Sequence, residues 1–166
     1  MISHLLISAV LAALAIAGPG EILTNRDFEN KEDHMTGWSV REGTFTLEDS
    51  DPVHPANPHY ILIKASTGTT LTNDCGGGVR VRKGEILSLD IHVKSSVRGK
   101  MAVMLVAEDG SIAGANSLTI RKGGWNSYRT SIQAMKASEK CWLDIILPPG
   151  TICVDTASLV SKDNYK

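Results

Sequence analysis

The sequence predicts an all-β domain of the β-sandwich or jelly-roll type, and three observations predict it. Short apolar runs alternate with polar residues at a period of two, the spacing that places one side of a strand on a core. Fifteen glycines and six prolines fall mostly between those runs, where turns are needed. No long amphipathic helix is visible after residue 17, so about ten short strands must supply the core.

In chain order, residues 1–17 (MISHLLISAVLAALAIA) are uncharged and apolar and end on Ala15-Ile16-Ala17. That ending fits a cleaved signal peptide, and the run is short for a transmembrane helix, although no Lys or Arg precedes it. The other reading is a native first strand or helix. Export is favoured, with residues 18–166 as one domain and a secreted or periplasmic location. Gly18-Pro19-Gly20 breaks the run, EILTNRDFE opens the domain, and a polar loop leads to Gly37-Trp38.

Strands are predicted at Thr44–Glu48 and His59–Ala65. Between them DPVHPANPHY carries Pro52, Pro55 and Pro58, whose fixed φ makes a stiff, extended connection. Further strands follow through Val79 and Val81, and over Ile86–Ser95, Met101–Ala107, Ile112–Ile120 and Asn126–Ile132. The clearest is Ile86–Ser95, with Leu87, Leu89, Ile91 and Val93 inward and Ser88, Asp90, His92 and Lys94 outward. In the next strand Cys141, Leu143, Ile145 and Leu147 share the inner face, leaving Trp142, Asp144 and Ile146 outside. Pro148-Pro149-Gly150 cannot continue a ladder, and the expectation is a tight turn that returns Thr151–Val160 antiparallel beside Cys141–Leu147.

A net charge of −1, from 17 basic and 18 acidic residues spread along the chain, provides no concentrated basic patch for nucleic acid or an anionic membrane. Three cysteines are too few for a disulfide scaffold, and alternation puts Cys141 inward and Cys153 outward, so all three read as free thiols. There is no GxSxG, HExxH, P-loop or dinucleotide fingerprint, and the acids sit mostly in turns or beside Lys and Arg; the chain does not read as an enzyme.

Binding fits the residues better. A sugar is held by an aromatic ring stacked on its apolar face, with polar side chains bonding its hydroxyls. Trp142 beside Asp144 provides this, and Asp90 and His92 would join them if their strands were neighbours. A Trp packed beneath a loop is an equal reading of Trp142. Tyr60 falls where it would line the rim of the Pro-rich loop, and Trp38 and Trp125 read as plugs at the ends of the sandwich.

The runs NRDFE, GWS, DPVHPANPHY, VRKGE, WNSYRTSIQAMKAS and GTICVDTASLVSKDNYK occur in order over residues 21–166. Together they resemble the CenC-like carbohydrate-binding domain (families 4 and 9) in the N-terminal part of family 51 α-L-arabinofuranosidases. The resemblance implies a galactose-binding-like jelly roll that binds arabinose- or xylose-containing plant polysaccharide and accompanies a glycoside hydrolase catalytic domain. It also implies a structural calcium at Glu29 and Asp155, which read equally as surface or turn acids. In those enzymes the closing SLxxKDxYK motif leads into a barrel carrying two catalytic glutamates; the matched region holds neither, so hydrolysis is not expected. Two rivals stand beside this reading: a piece of the hydrolase that packs on its barrel, and a structural or protein-interaction sandwich without a sugar site.

Overall fold

The computed structural model describes residues 20–165, so the predicted signal peptide lies outside the described residues. Eleven strands follow one another: β1 (Trp38–Arg41), β2 (Thr44–Glu48), β3 (Tyr60–Ala65), β4 (Thr69–Asn73), β5 (Val79–Val81), β6 (Ile86–Ser95), β7 (Gly99–Ala107), β8 (Ile112–Ile120), β9 (Gly123–Gln133), β10 (Ser138–Leu147) and β11 (Gly150–Ser161). The one helical element among the described residues is a 3-10 turn at Lys162–Tyr165.

Two antiparallel sheets form. The first runs β1-β4-β10-β7-β8, with β5 continuing the β4 edge of β10; the second runs β2-β3-β11-β6-β9. This is the predicted jelly-roll sandwich. The alternation in β6 and β10 holds residue by residue: Leu87, Leu89, Ile91 and Val93 from one sheet meet Cys141, Leu143, Ile145 and Leu147 from the other, all buried. Burying each such aliphatic side chain contributes about 1.5–3 kcal/mol, which is what holds the two sheets together.

One expectation is corrected. Thr151–Val160 does not return beside Cys141–Leu147, because β10 pairs with β4, β5 and β7 while β11 pairs with β3 and β6. Pro148-Pro149-Gly150 therefore carries the chain from one sheet to the other. Two consecutive prolines offer no N–H donors for a hairpin, and both flanking strands have a full apolar face to bury against each other. The strand Thr69–Asn73 also escaped the sequence reading, since Leu71 is its one aliphatic residue; Asn73 fills the inner position two residues on, fully buried. The Asn73 amide accepts from Thr24 N and Cys75 N and donates to Thr24 O, so its burial leaves nothing unpaired.

The sheets meet closely where β8 passes the end of β9. A Cβ on Gly114 would lie 2.6 Å from the Gln133 carbonyl oxygen, a contact with backbone that cannot swing away. Gly114→Ala should lower the unfolding free energy by about 1–3 kcal/mol in urea titration. Gly124→Ala, with open space around it, is the matched control and should be neutral. Equal stability of the two variants would show that the junction yields.

Candidate functional site

On the outer face of the first sheet, Trp142, Asp144 and Ile146 stand in a row along β10, as alternation predicts. Trp142 is half-buried beside Val106, Asp144 lies between Met104 and Thr72, and Ile146 lies between Ala102 and Thr70. Ile146 is 36% exposed. The result is an open ledge, apolar along β10 and β7 and hydroxyl-bearing along β4.

Asp144 is not free to meet a ligand. It is 4% exposed. Its Oδ1 accepts from Thr72 Oγ1 at 2.6 Å and its Oδ2 from an Arg41 guanidinium nitrogen at 2.7 Å. The Arg41 side chain is 61% exposed, so the buried carboxylate serves to hold a guanidinium at the surface of the same sheet face, on the Ile146 side of the row, where Arg41 lies opposite Thr70. Arg41 was not singled out from sequence. It lies 103 residues from Asp144, and the only available signal was its outward parity in Trp38–Arg41.

Asp90 and His92 belong to the second sheet, on β6, and face away from Trp142 on the opposite side of the molecule. Alternation assigned their side but could not assign their sheet. Asp90 pairs with Arg129 at 2.6 Å on the surface. His92 lies opposite Asp155 in the ladder and edge-on to His54, ring centroids 6.0 Å apart, so it sits beneath the Pro-rich loop.

That loop folds down over the second sheet. Asp51 holds Lys94 at 2.8 Å, and its carbonyl accepts from the Trp125 indole N–H at 2.8 Å. The Lys94 ammonium lies 5.2 Å from the ring centroids of both Tyr60 and Trp125, which stand edge to face. Burial opposes the Lys94 charge most strongly of any one cause, but the hydrogen bond to Asp51 together with the nearby Cys153, Tyr60 and Asp51 charges holds the ammonium above its ordinary pKa. Tyr60, expected at a rim, is only 2% exposed, with its hydroxyl 3.2 Å from Ser50 Oγ. Trp125 is likewise a cover on this outer face rather than an end plug. Trp38 does enter the core, against Phe28, with its N–H on the Asn25 carbonyl.

Glu29 and Asp155, paired at a calcium by the resemblance, take different partners. Glu29 Oε1 accepts from the His59 backbone N–H and Oε2 from His59 Nδ1, each at 2.7 Å. Asp155 sits at a β-bulge in β11, where Thr156 adopts φ 42°. Its Oδ1 accepts from Thr156 N and Oγ1, while Oδ2 and the neighbouring His92 Nδ1 are buried without partners. The unanswered Asp155 oxygen would suit a cation. However, Glu29 groups with His34 and His59, and calcium takes oxygen ligands. The residues around Glu29 do not fit calcium.

An open depression of about 620 Å³ at Glu42–Thr44, Lys64–Thr67 and Gly150-Thr151 contains no aromatic ring and no group of acids, so it carries less chemistry than the Trp142 ledge.

No family model matches the chain, and no curated protein matches it. Its fold is a jelly-roll sandwich, which carbohydrate-binding modules also adopt. Among solved structures it is similar to part of an arabinose-bound α-L-arabinofuranosidase, at TM-score 0.75 and 17% identity. The match covers 86% of this chain but 26% of that one, so the chain spans about a quarter of the enzyme's length. It is also similar to the xylan-binding domain from Paenibacillus barcinonensis, at TM-score 0.59 and 11% identity over 81% of this chain and 90% of that one. A Stig cyclase from Fischerella sp. matches at TM-score 0.63 and 14% identity over 86% and 98%. At these identities the likeness is one of fold, and the fold serves more than one purpose.

Burial pushes the Asp155 carboxyl up to about 6, against the hydrogen bonds from Thr156 and the nearby His92 that pull it down. A raised carboxyl favours the folded state while it is protonated, so its contribution is fully present below the unfolded value near 4 and is lost as pH rises through about 6. Asp155→Asn should therefore flatten the fall in Tm between those values. An unchanged pH profile would remove Asp155 from the titration.

Proposed function

We propose that the chain is a non-catalytic carbohydrate-binding module for arabinose- or xylose-containing plant cell-wall polysaccharide, binding on the Trp142 ledge. The observation that carries this reading is the half-buried Trp142 ring on an open sheet face that also carries, further along, a guanidinium held by Asp144, itself bonded by Thr72. A ring of this kind covers the apolar side of a pyranose or furanose. Arg41 supplies fixed N–H donors for hydroxyls, and Thr70 lies on the same face. An open ledge suits an extended chain better than a single buried sugar.

The fold shared with a xylan-binding domain and with part of an arabinose-bound arabinofuranosidase supports the same ligand class. An accessory role beside a glycoside hydrolase rests on the second of these and on the motif resemblance. Export to a secreted or periplasmic location rests on residues 1–17.

Affinity electrophoresis against arabinan, arabinoxylan, xylan and β-glucan tests the reading. Retardation by one of the pentose polymers is expected, and Trp142→Ala should weaken it by ~1–3 kcal/mol, taking base stacking on aromatics as the guide. Thermal stability should change little. Retardation that survives Trp142→Ala would move the site elsewhere, and no retardation by any polymer would favour a domain that docks on a hydrolase barrel.

A further inference from the structure

Glu29, His34 and His59 present a second chemistry, independent of the sugar reading. One ring nitrogen of each histidine and one Glu29 oxygen all lie within 4.8 Å of one another. Glu29 and His34 come from the segment before β1, and His59 closes the Pro-rich loop just before β3. The segment before β1 is held in shape from within: the Asn25 side chain donates to His34 O at 2.7 Å and accepts from Asn30 N at 3.0 Å.

The hydrogen bonds fix both tautomers. His34 Nδ1 lies 2.6 Å from the Phe28 carbonyl, which can only accept, so Nδ1 carries the proton and Nε2 the lone pair. His59 Nδ1 lies 2.7 Å from Glu29 Oε2, and the carboxylate imposes the same choice. The rings lie 4.2 Å apart, tilted by 37°. Two adjacent imidazoles, each with Nδ1–H tied to an oxygen and Nε2 left basic, match the outer-shell arrangement around metal-binding histidines.

We propose that this cluster is a site for a borderline divalent cation such as Zn2+, ligated by Nε2 of His34 and His59, with Glu29 orienting His59 and offsetting the charge. Imidazole nitrogen favours zinc, copper or nickel over calcium or magnesium. Bound there, the ion would tie the entry segment to the end of the Pro-rich loop and hold that loop over the second sheet.

The test uses the full, untagged chain, stripped with a chelator and titrated calorimetrically with Zn2+ at neutral pH. One Zn2+ per chain is expected, with Ca2+ failing to compete. Glu29→Gln should weaken binding by about tenfold, the scale of an outer-shell loss. His34→Gln with His59→Gln should abolish it. Nitrogen NMR of the unaltered chain provides a readout that needs no variant: Zn2+ should shift Nε2 of His34 and His59 and leave His54 and His92 unmoved. Unmoved Nε2 signals at these two rings, unchanged affinity in the double variant, or displacement of Zn2+ by equimolar Ca2+ would each overturn the proposal.

Discussion

The sandwich depends on the crossing at Pro148-Pro149-Gly150. It joins β10, at the centre of the first sheet, to β11, at the centre of the second. Pro148 and Pro149 have no N–H with which to continue a ladder, and the two strands part here and turn their apolar faces toward each other. Five strands then pair directly with these two, β4, β5 and β7 along β10 and β3 and β6 along β11, and β1, β8, β2 and β9 add at the edges. The crossing itself is tightly fitted, since a Cβ on Gly99 would come within 2.7 Å of Pro148 Cγ.

The second centre strand is not straight. At its bulge between Asp155 and Ser158 the neighbour changes. β3 pairs up to Val154, and beyond the bulge the entry segment takes over, with Ala157 N on Arg26 O and Ile22 N on Leu159 O. Glu21 ties that substitution down by accepting from Ser158 Oγ and Leu159 N. The outer faces of the two sheets diverge accordingly. One lies under the Pro-rich loop, which Asp51 ties down to Lys94 and Trp125; the other keeps Trp142 half-exposed and Arg41 exposed.

Much of this was legible in the sequence, and the limits follow from what alternation encodes. A period of two states which side of a strand is apolar, so the inward sets of β6 and β10 and the outward position of Trp142 could be read directly. It says nothing about which sheet a strand joins. Asp90 and His92 therefore had the right parity and the wrong neighbours. Weakly apolar strands vanish, as Thr69–Asn73 did. Contacts between distant segments are equally invisible: nothing local marks Arg41 as the partner of Asp144, or shows that the Pro-rich loop would fold inward over Tyr60. The resemblance anticipated the sandwich, yet at Glu29 the local imidazoles reshape what the matching acid can do.

The three thiols have a further consequence. Cys75, Cys141 and Cys153 are all buried and unbridged. Burial pushes Cys75 up to about 12 and raises Cys153 as well, so neither presents a reactive thiolate near neutrality. The fold thus takes none of its stability from a disulfide and offers oxidants little reactive thiolate. The same sandwich is expected in a reducing or an oxidising compartment, and the domain can cross from one to the other without a change in its covalent structure.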